Sequence, residues 1–115
     1  MRILIALALF SAAASIAAAA DLSGTWTAAV TLDAGSGTAT FVLKQSGDRL
    51  TGTYSGTLGE AKVTGRINGD AVEWSFETED AGTVKYSGAL KSPNKIEGTA
   101  AYGSVGKGTF VAERK

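Results

Sequence analysis

Apolar and polar residues alternate one by one along most of the chain after residue 20, as they do in strands that bury one face. The segment 71–78 is typical, because Val72, Trp74 and Phe76 alternate there with acidic and hydroxyl side chains. No segment in this region repeats its apolar residues at the 3.6-residue period of a helix. The alternation predicts about eight strands, at 24–32, 38–45, 49–56, 61–67, 71–78, 83–90, 95–102 and 107–114.

Glycine recurs on the apolar face of these segments, for example in the middle of 50–54 and of 96–100. Glycine weakens a strand interior, so its repeated use there indicates a sheet that bends sharply. Together with the succession of short hairpins, this predicts an all-β fold, a single up-and-down antiparallel β-barrel of about eight strands. A β-sandwich of the same strands is the alternative.

Two short turns fix the expected register. Ser46-Gly47 and Asn68-Gly69 have the composition of two-residue hairpin turns, which need positive φ angles. Turns centred on these pairs place Leu43 opposite Leu50, and Val63 opposite Trp74. Inward residues then face inward residues, as the pleat requires.

Residues 1–20 differ in composition from the rest. Arg2 is followed by an unbroken apolar run over 3–10 and an alanine-rich stretch that ends at Ala20. This is the pattern of a cleaved secretory signal peptide, and the bulky apolar run is shorter than a membrane span requires. The sequence therefore predicts a signal peptide over 1–20, a barrel domain over 21–115, and export to the periplasm or the exterior.

Charge and composition narrow the functional classes. The 115-residue chain has a net charge of zero, and the loss of Arg2 with the signal would leave about −1, so neither nucleic acid nor an anionic membrane is an expected partner. The chain contains no cysteine and no histidine. We therefore expect no disulfide, no thiol or histidine catalysis, no metal site and no cofactor.

The segments 22–27 (LSGTWT), 50–54 (LTGTY) and 72–76 (VEWSF) resemble the scaffold of the avidin/streptavidin family in order and spacing. Gly24-Thr25-Trp26 is also similar to the Gly-x-Trp motif of lipocalins. Both resemblances imply an eight-stranded barrel. The composition is similar, too, to that of uncharacterised small exported bacterial proteins.

The avidin resemblance does not extend to the biotin site. Tyr54 and Trp74 match a tyrosine and one aromatic wall of that site. The position of the family's asparagine falls near Ala28, and that of its last-strand polar group falls near Gly108. A site that depends on buried hydrogen bonds loses affinity steeply without its partners, so biotin is not the expected ligand.

Tyr54, Trp74 and Tyr86 are the candidate ligand-binding residues, at the open end of the barrel. Their rings offer flat contact surface, and inward Gly and Ala leave volume between them, which suits a small apolar or aromatic ligand. The other interpretation is that these rings simply fill the core. The predicted function is non-catalytic ligand binding by an exported barrel, and the oligomeric state stays open.

Two other functions are alternatives. A surface-mediated protein-interaction or inhibitor module with a solid core is the alternative to ligand binding. A hydrolase would need paired carboxylates, for which Glu73 and Glu77 are the candidates. These residues are better interpreted as a solvated strand face beside Arg66 and Lys85, so we expect no enzyme and no catalytic residue.

Trp26 and Arg114 are expected to have a structural role. The first and last strands should be neighbours in a closed barrel, which places Arg114 beside Trp26. We therefore predict a cation–π contact between the guanidinium and the indole at the closed end.

Overall fold

The computed structural model describes residues 21–115, and the predicted signal peptide lies outside the described residues. Eight antiparallel strands form a closed barrel, in which each strand pairs with the next and β8 pairs with β1. This confirms the up-and-down barrel over the sandwich. The strands are β1 (Gly24–Leu32), β2 (Gly35–Ser46), β3 (Arg49–Gly56), β4 (Gly59–Asn68), β5 (Ala71–Thr78), β6 (Gly82–Ser92), β7 (Lys95–Tyr102) and β8 (Gly106–Arg114).

The alternation in the sequence is the alternation of burial in the structure. In β1, for example, Trp26, Ala28 and Val30 are buried, whereas Ala29 and Thr31 are exposed. The buried residues of residues 21–115 are all hydrophobic, and they form one core inside the barrel. Among these same residues, no helix is long and apolar enough to cross a membrane.

Four of the strands have the predicted bounds, and the others are longer. The largest difference is in β2, which begins at Gly35 rather than residue 38, because the chain reverses over Asp33 and Ala34 alone. The β1–β2 hairpin is therefore longer than expected, and its tip, residues 33–38, is exposed.

The predicted register was wrong at two hairpins, by two residues in each. Ser46 pairs with Arg49 and Asn68 pairs with Ala71, so the turns are centred on Gly47-Asp48 and Gly69-Asp70. In turns of type I′ and II′, the first central residue has a positive φ angle, which glycine adopts at the least cost. Gly47 and Gly69 have φ angles of 65° and 63°.

This shift preserves the pleat but changes which residues meet. Leu43 lies opposite Gly52 rather than Leu50, and Gly65, not Val63, lies opposite Trp74. Because the shift is an even number of residues, inward positions still face inward positions.

A glycine on the inner face allows two strands to approach closely. A Cβ added to Gly98 in β7 would lie 2.0 Å from the carbonyl oxygen of Ser87 and 2.4 Å from the Cα of Gly88, both in β6. Such distances are far below van der Waals contact, so this tight coiling of the sheet requires glycine.

The seam between β4 and β5 is shorter than the others. It has five residue pairs, from Thr64–Ser75 to Asn68–Ala71, whereas β3 and β4 form eight. Residues 59–63 of β4 pair with β3 on one side and lack β5 partners on the other. The sheet is thus least continuous along this half of the seam.

The turns divide between two ends of the barrel. The turns at 33–34, 57–58, 79–81 and 103–105 lie at one end, which we call the open end. Residues 21–23, the remaining turns and Lys115 lie at the other, which we call the closed end. At the open end, the Ser104 amide donates to the carbonyl of Ala81 at 3.1 Å, so these two turns cover part of the opening.

Candidate functional site

The predicted ligand-binding residues belong to one aromatic cluster in the barrel. Tyr54, Trp74 and Tyr86 are at most 2% exposed. Trp74 stacks on Tyr86 with ring centroids 5.4 Å apart, and Phe41 meets both edge-on. Tyr54 stacks on Phe76 at 4.2 Å. The rings therefore fill the barrel at this level.

This packing changes the expected geometry of the site. The sequence placed Tyr54, Trp74 and Tyr86 around free volume, but the rings of Trp74 and Tyr86 are enclosed by other rings, and of the three only Tyr54 lines the cavity at the open end. The physical reason is that an eight-stranded barrel is just wide enough for its own side chains to fill it.

A cavity of about 260 Å³, which we call the mouth cavity, lies at the open end. It is bounded by the long β1–β2 hairpin, by the β3–β4 turn, and by β7 and the turn after it. Its walls are mainly apolar, and they are formed by Val30, Leu32, Ala34, Gly35, Ser36, Gly37, Thr38, Tyr54, Thr57, Leu58, Tyr102 and Val105.

Gly37 accounts for part of this volume. It pairs with Val30 and shares the inward parity of Ala39 and Phe41. Apart from Gly37 itself and its two chain neighbours, no residue has an atom within 4 Å of a Cβ built on Gly37. The cavity therefore occupies space that a side chain at this position would fill.

The polar side chains at the mouth cavity all carry hydroxyls: Tyr54, Tyr102, Ser36, Thr38 and Thr57. The hydroxyl oxygen of Tyr54 accepts a hydrogen bond from the Leu58 amide at 3.3 Å, and it lies where a Cβ on Gly56 would collide with it. The hydroxyl of Tyr102 forms a short hydrogen bond with that of Tyr86, which is buried deeper.

Their surroundings keep the hydroxyls of Tyr86 and Tyr102 neutral. Burial, reinforced by the hydrogen bond to Tyr102, raises the pKa of Tyr86 well above its ordinary value. Burial also raises the pKa of Tyr102. Both residues therefore keep their protons at neutral pH and can act as hydrogen-bond donors.

One polar atom of the aromatic cluster has no protein partner. The indole Nε1 of Trp74 is buried and makes no hydrogen bond among residues 21–115. Such an orphan donor costs about 1–3 kcal/mol.

The predicted contact between Trp26 and Arg114 is present at the closed end. The guanidinium carbon of Arg114 lies 4.9 Å from the centre of the Trp26 ring. The guanidinium also donates to the carbonyl oxygens of Asp21, Ser23 and Pro93, at 2.7, 2.9 and 2.6 Å.

The candidate hydrolase pair lies away from the mouth cavity. Glu73 and Glu77 are exposed on the outer face of β5, where Glu77 accepts a hydrogen bond from the hydroxyl of Thr83 at 2.8 Å. Within residues 21–115, no cluster of three or more potential acidic, histidine or cysteine ligands is placed to hold a metal ion.

Of the twelve residues that line the mouth cavity, only Tyr54 was predicted from the sequence as a site residue. Tyr102 was assigned to an inward position but not to a site, although its parity with Tyr86 on the next strand was a usable signal. Leu58 and Gly37 were assigned to turns, where no sequence pattern shows which way a residue faces.

Comparisons with known proteins show the fold. No protein-family model matches the chain, and no curated protein matches it either. A redesigned β-barrel is similar with a TM-score of 0.66 and 21% identity, over 86% of this chain and 96% of that one. A de novo designed fluorescence-activating β-barrel has a TM-score of 0.61 and 17% identity, over 86% and 98% of the two chains. A redesigned β-barrel, mFAP1, bound to DFHBI, has a TM-score of 0.60 and 19% identity, over 86% and 99%. These structures share the small eight-stranded barrel with this chain, and they show neither the avidin nor the lipocalin family.

Proposed function

We propose that this chain is an exported, non-catalytic binding protein that holds a small apolar or aromatic ligand in the mouth cavity. The observation that carries the proposal is the cavity itself, about 260 Å³ with mainly apolar walls and two tyrosines. This volume is near the lower end of the range of small-molecule sites, so the ligand is small.

The lining of the cavity favours binding without turnover. None of the residues that form it is acidic or basic, and neutral tyrosine hydroxyls are weak nucleophiles. The designed barrel mFAP1 binds DFHBI, which supports the idea that a barrel of this size can accept an aromatic compound.

DFHBI is therefore a suitable first probe. We expect saturable binding, measured by the fluorescence of the dye and by quenching of tryptophan emission. Gly37→Phe should abolish it, because the added ring projects into the mouth cavity. Val42→Phe, on the outer face of the same strand, is the matched control and should bind as the wild type does.

Equal DFHBI binding by Gly37→Phe and wild type would place the ligand elsewhere. The absence of saturable binding with DFHBI, and with a panel of small aromatic compounds, would reject the ligand-binding function.

Export rests on the composition of residues 1–20. We expect exported protein to begin at Asp21, as determined by N-terminal sequencing. Exported material that begins at Met1 would contradict cleavage.

Protein interaction through the outer surface is the second candidate, and the filled interior favours it. Val42 and Val111 are 50% and 37% exposed, and they flank β1, whose outward residues carry no charge. Val42→Glu should then abolish partner capture without a change in melting temperature, whereas Gly37→Phe should leave capture intact.

A further inference from the structure

We propose that the ligand of the mouth cavity is a neutral, mostly apolar carbonyl compound, such as an aromatic ketone, lactone or amide, whose oxygen accepts hydrogen bonds from the hydroxyls of Tyr54 and Tyr102. This inference rests on the proposed function and specifies the chemistry of the same site.

Tyr54 supplies the first donor. Its hydroxyl oxygen already accepts a hydrogen bond from the Leu58 amide. Among residues 21–115, the hydroxyl proton itself has no acceptor. A phenol can donate and accept at once, so the proton of Tyr54 is available at the wall of the cavity.

Tyr102 supplies the second donor. Tyr102 and Tyr86 share one hydrogen bond, so one of their two protons is left over, whichever residue donates. Tyr86 is fully buried, whereas Tyr102 is 7% exposed and lines the mouth cavity. Donation from Tyr86 to Tyr102 leaves the remaining proton on the residue that faces the cavity, where a ligand can accept it.

The walls exclude a charged ligand. No Lys, Arg, Asp or Glu lines the mouth cavity, so a carboxylate or an ammonium group would lose its hydration without gaining a counter-charge. The two tyrosine donors and the mainly apolar walls, with the neutral hydroxyls of Ser36, Thr38 and Thr57, suit a neutral acceptor instead. A carbonyl oxygen has two lone pairs and can accept from both tyrosines.

The same geometry discriminates against a pure hydrocarbon. Such a ligand would fill the cavity but leave both hydroxyl protons without an acceptor and without water. Sites that present buried donors reject analogues that lack the matching acceptor, since each unpaired group costs free energy.

The test compares two probes of the same size, 2-acetylnaphthalene and 2-isopropylnaphthalene, by titration against tryptophan fluorescence and by calorimetry. We expect the ketone to bind about tenfold more tightly than the hydrocarbon in the wild type. In Tyr102→Phe, and separately in Tyr54→Phe, the ratio of the ketone affinity to the hydrocarbon affinity should fall toward one, mainly through weaker binding of the ketone. Thr40→Val, which removes an outward hydroxyl from β2, is the matched control and should keep the ratio.

The outcomes separate the two proposals. Equal affinity for both probes in the wild type, or a ratio unchanged in both tyrosine variants, overturns the carbonyl inference and leaves the apolar binding site in place. If neither probe binds and DFHBI does not bind, the proposed function fails as well. Two single variants are used so that a folding defect in one does not decide the result.

Discussion

The two ends of the barrel use hydrogen bonds in opposite ways. At the closed end, Arg114, a side chain with five N–H donors, forms four hydrogen bonds, to three carbonyl oxygens and the side-chain oxygen of Asn94. At the open end, Tyr54 and the Tyr86–Tyr102 pair have hydroxyl protons in excess of the acceptors around them. The chain itself therefore supplies acceptors for most donors of Arg114, whereas the open end has tyrosine donors that an added molecule could use.

The closed end is also more tightly packed than the open end. At the closed end, the indole N–H of Trp26 donates to the carbonyl of Leu22 at 2.9 Å, and both residues are at most 1% exposed. At the open end, Leu32 and Leu58 are only partly buried, and the β1–β2 hairpin extends past the core. The contacts that stabilise the barrel and the proposed binding site thus lie at different ends of one small barrel, and variants at each end should separate the two properties.

Arg114→Ala should have the largest effect on stability. The change removes the contact with Trp26 and leaves carbonyl oxygens without their donor, so we expect a loss of about 2–4 kcal/mol. The melting temperature, measured by circular dichroism, should fall by roughly 10–20 °C. Probe binding at low temperature should be unchanged. Arg114→Lys keeps the charge but loses the planar fork, so it should recover only a minority of the loss. Full recovery with lysine would show that charge alone matters.

Tyr102→Phe should have an intermediate effect on stability. It removes the hydrogen bond to Tyr86 and keeps the ring, so we expect a loss of about 1 kcal/mol, or about 4–8 °C in melting temperature. Unlike Arg114→Ala, it should also weaken binding of the ketone probe. If Tyr102→Phe lowers stability as much as Arg114→Ala, the two ends do not differ as described.

Asp21→Asn should have the smallest effect. The Ser23 amide donates to the Asp21 carboxylate at 2.9 Å, and this bond, with the Ser23 hydroxyl and the charge of Arg114, lowers the pKa of the carboxyl below 3.8. A lowered folded-state pKa contributes stability above the ordinary value, and this contribution is lost as the pH falls through the folded value.

We therefore expect Asp21→Asn to melt slightly below wild type at pH 7, with the difference disappearing as the pH falls below about 4. Thermal melts from pH 7 to pH 2 would measure this. A difference that stays constant over that range would mean that the carboxylate charge has no part in it.

The sequence predicted the barrel because alternation and turn glycines are local features. β1, β3, β5 and β7 were predicted with their observed bounds, and the proximity of Arg114 to Trp26 followed from strand parity. The register was less predictable. At each of the two hairpins, a Gly-Asp pair overlaps with a Ser-Gly or Asn-Gly pair, and either pair can form the centre of the turn. Tertiary pairing decided between them.

The site was predicted only in part, because it depends on volume. Sequence parity placed Tyr54, Trp74 and Tyr86 inside, but the radius of the barrel determined that Trp74 and Tyr86 would be enclosed and that Tyr54 would reach the cavity. Whether a residue such as Gly37 leaves a gap depends on neighbours that are distant in the chain, and the pattern of a single strand carries no information about them.

The short β4–β5 seam has a consequence for motion. Residues 59–63 lack β5 partners, so β4 and β5 can move apart here without breaking backbone pairs between them. Their amide protons should exchange with solvent through local opening, faster than those of β1, which is paired along both edges. Val63 and Phe76, whose side chains are buried, stand on either side of this opening. Native-state hydrogen exchange should therefore find the weakest protection here, and an opening at this point would give solvent transient access to the aromatic cluster from the side of the barrel.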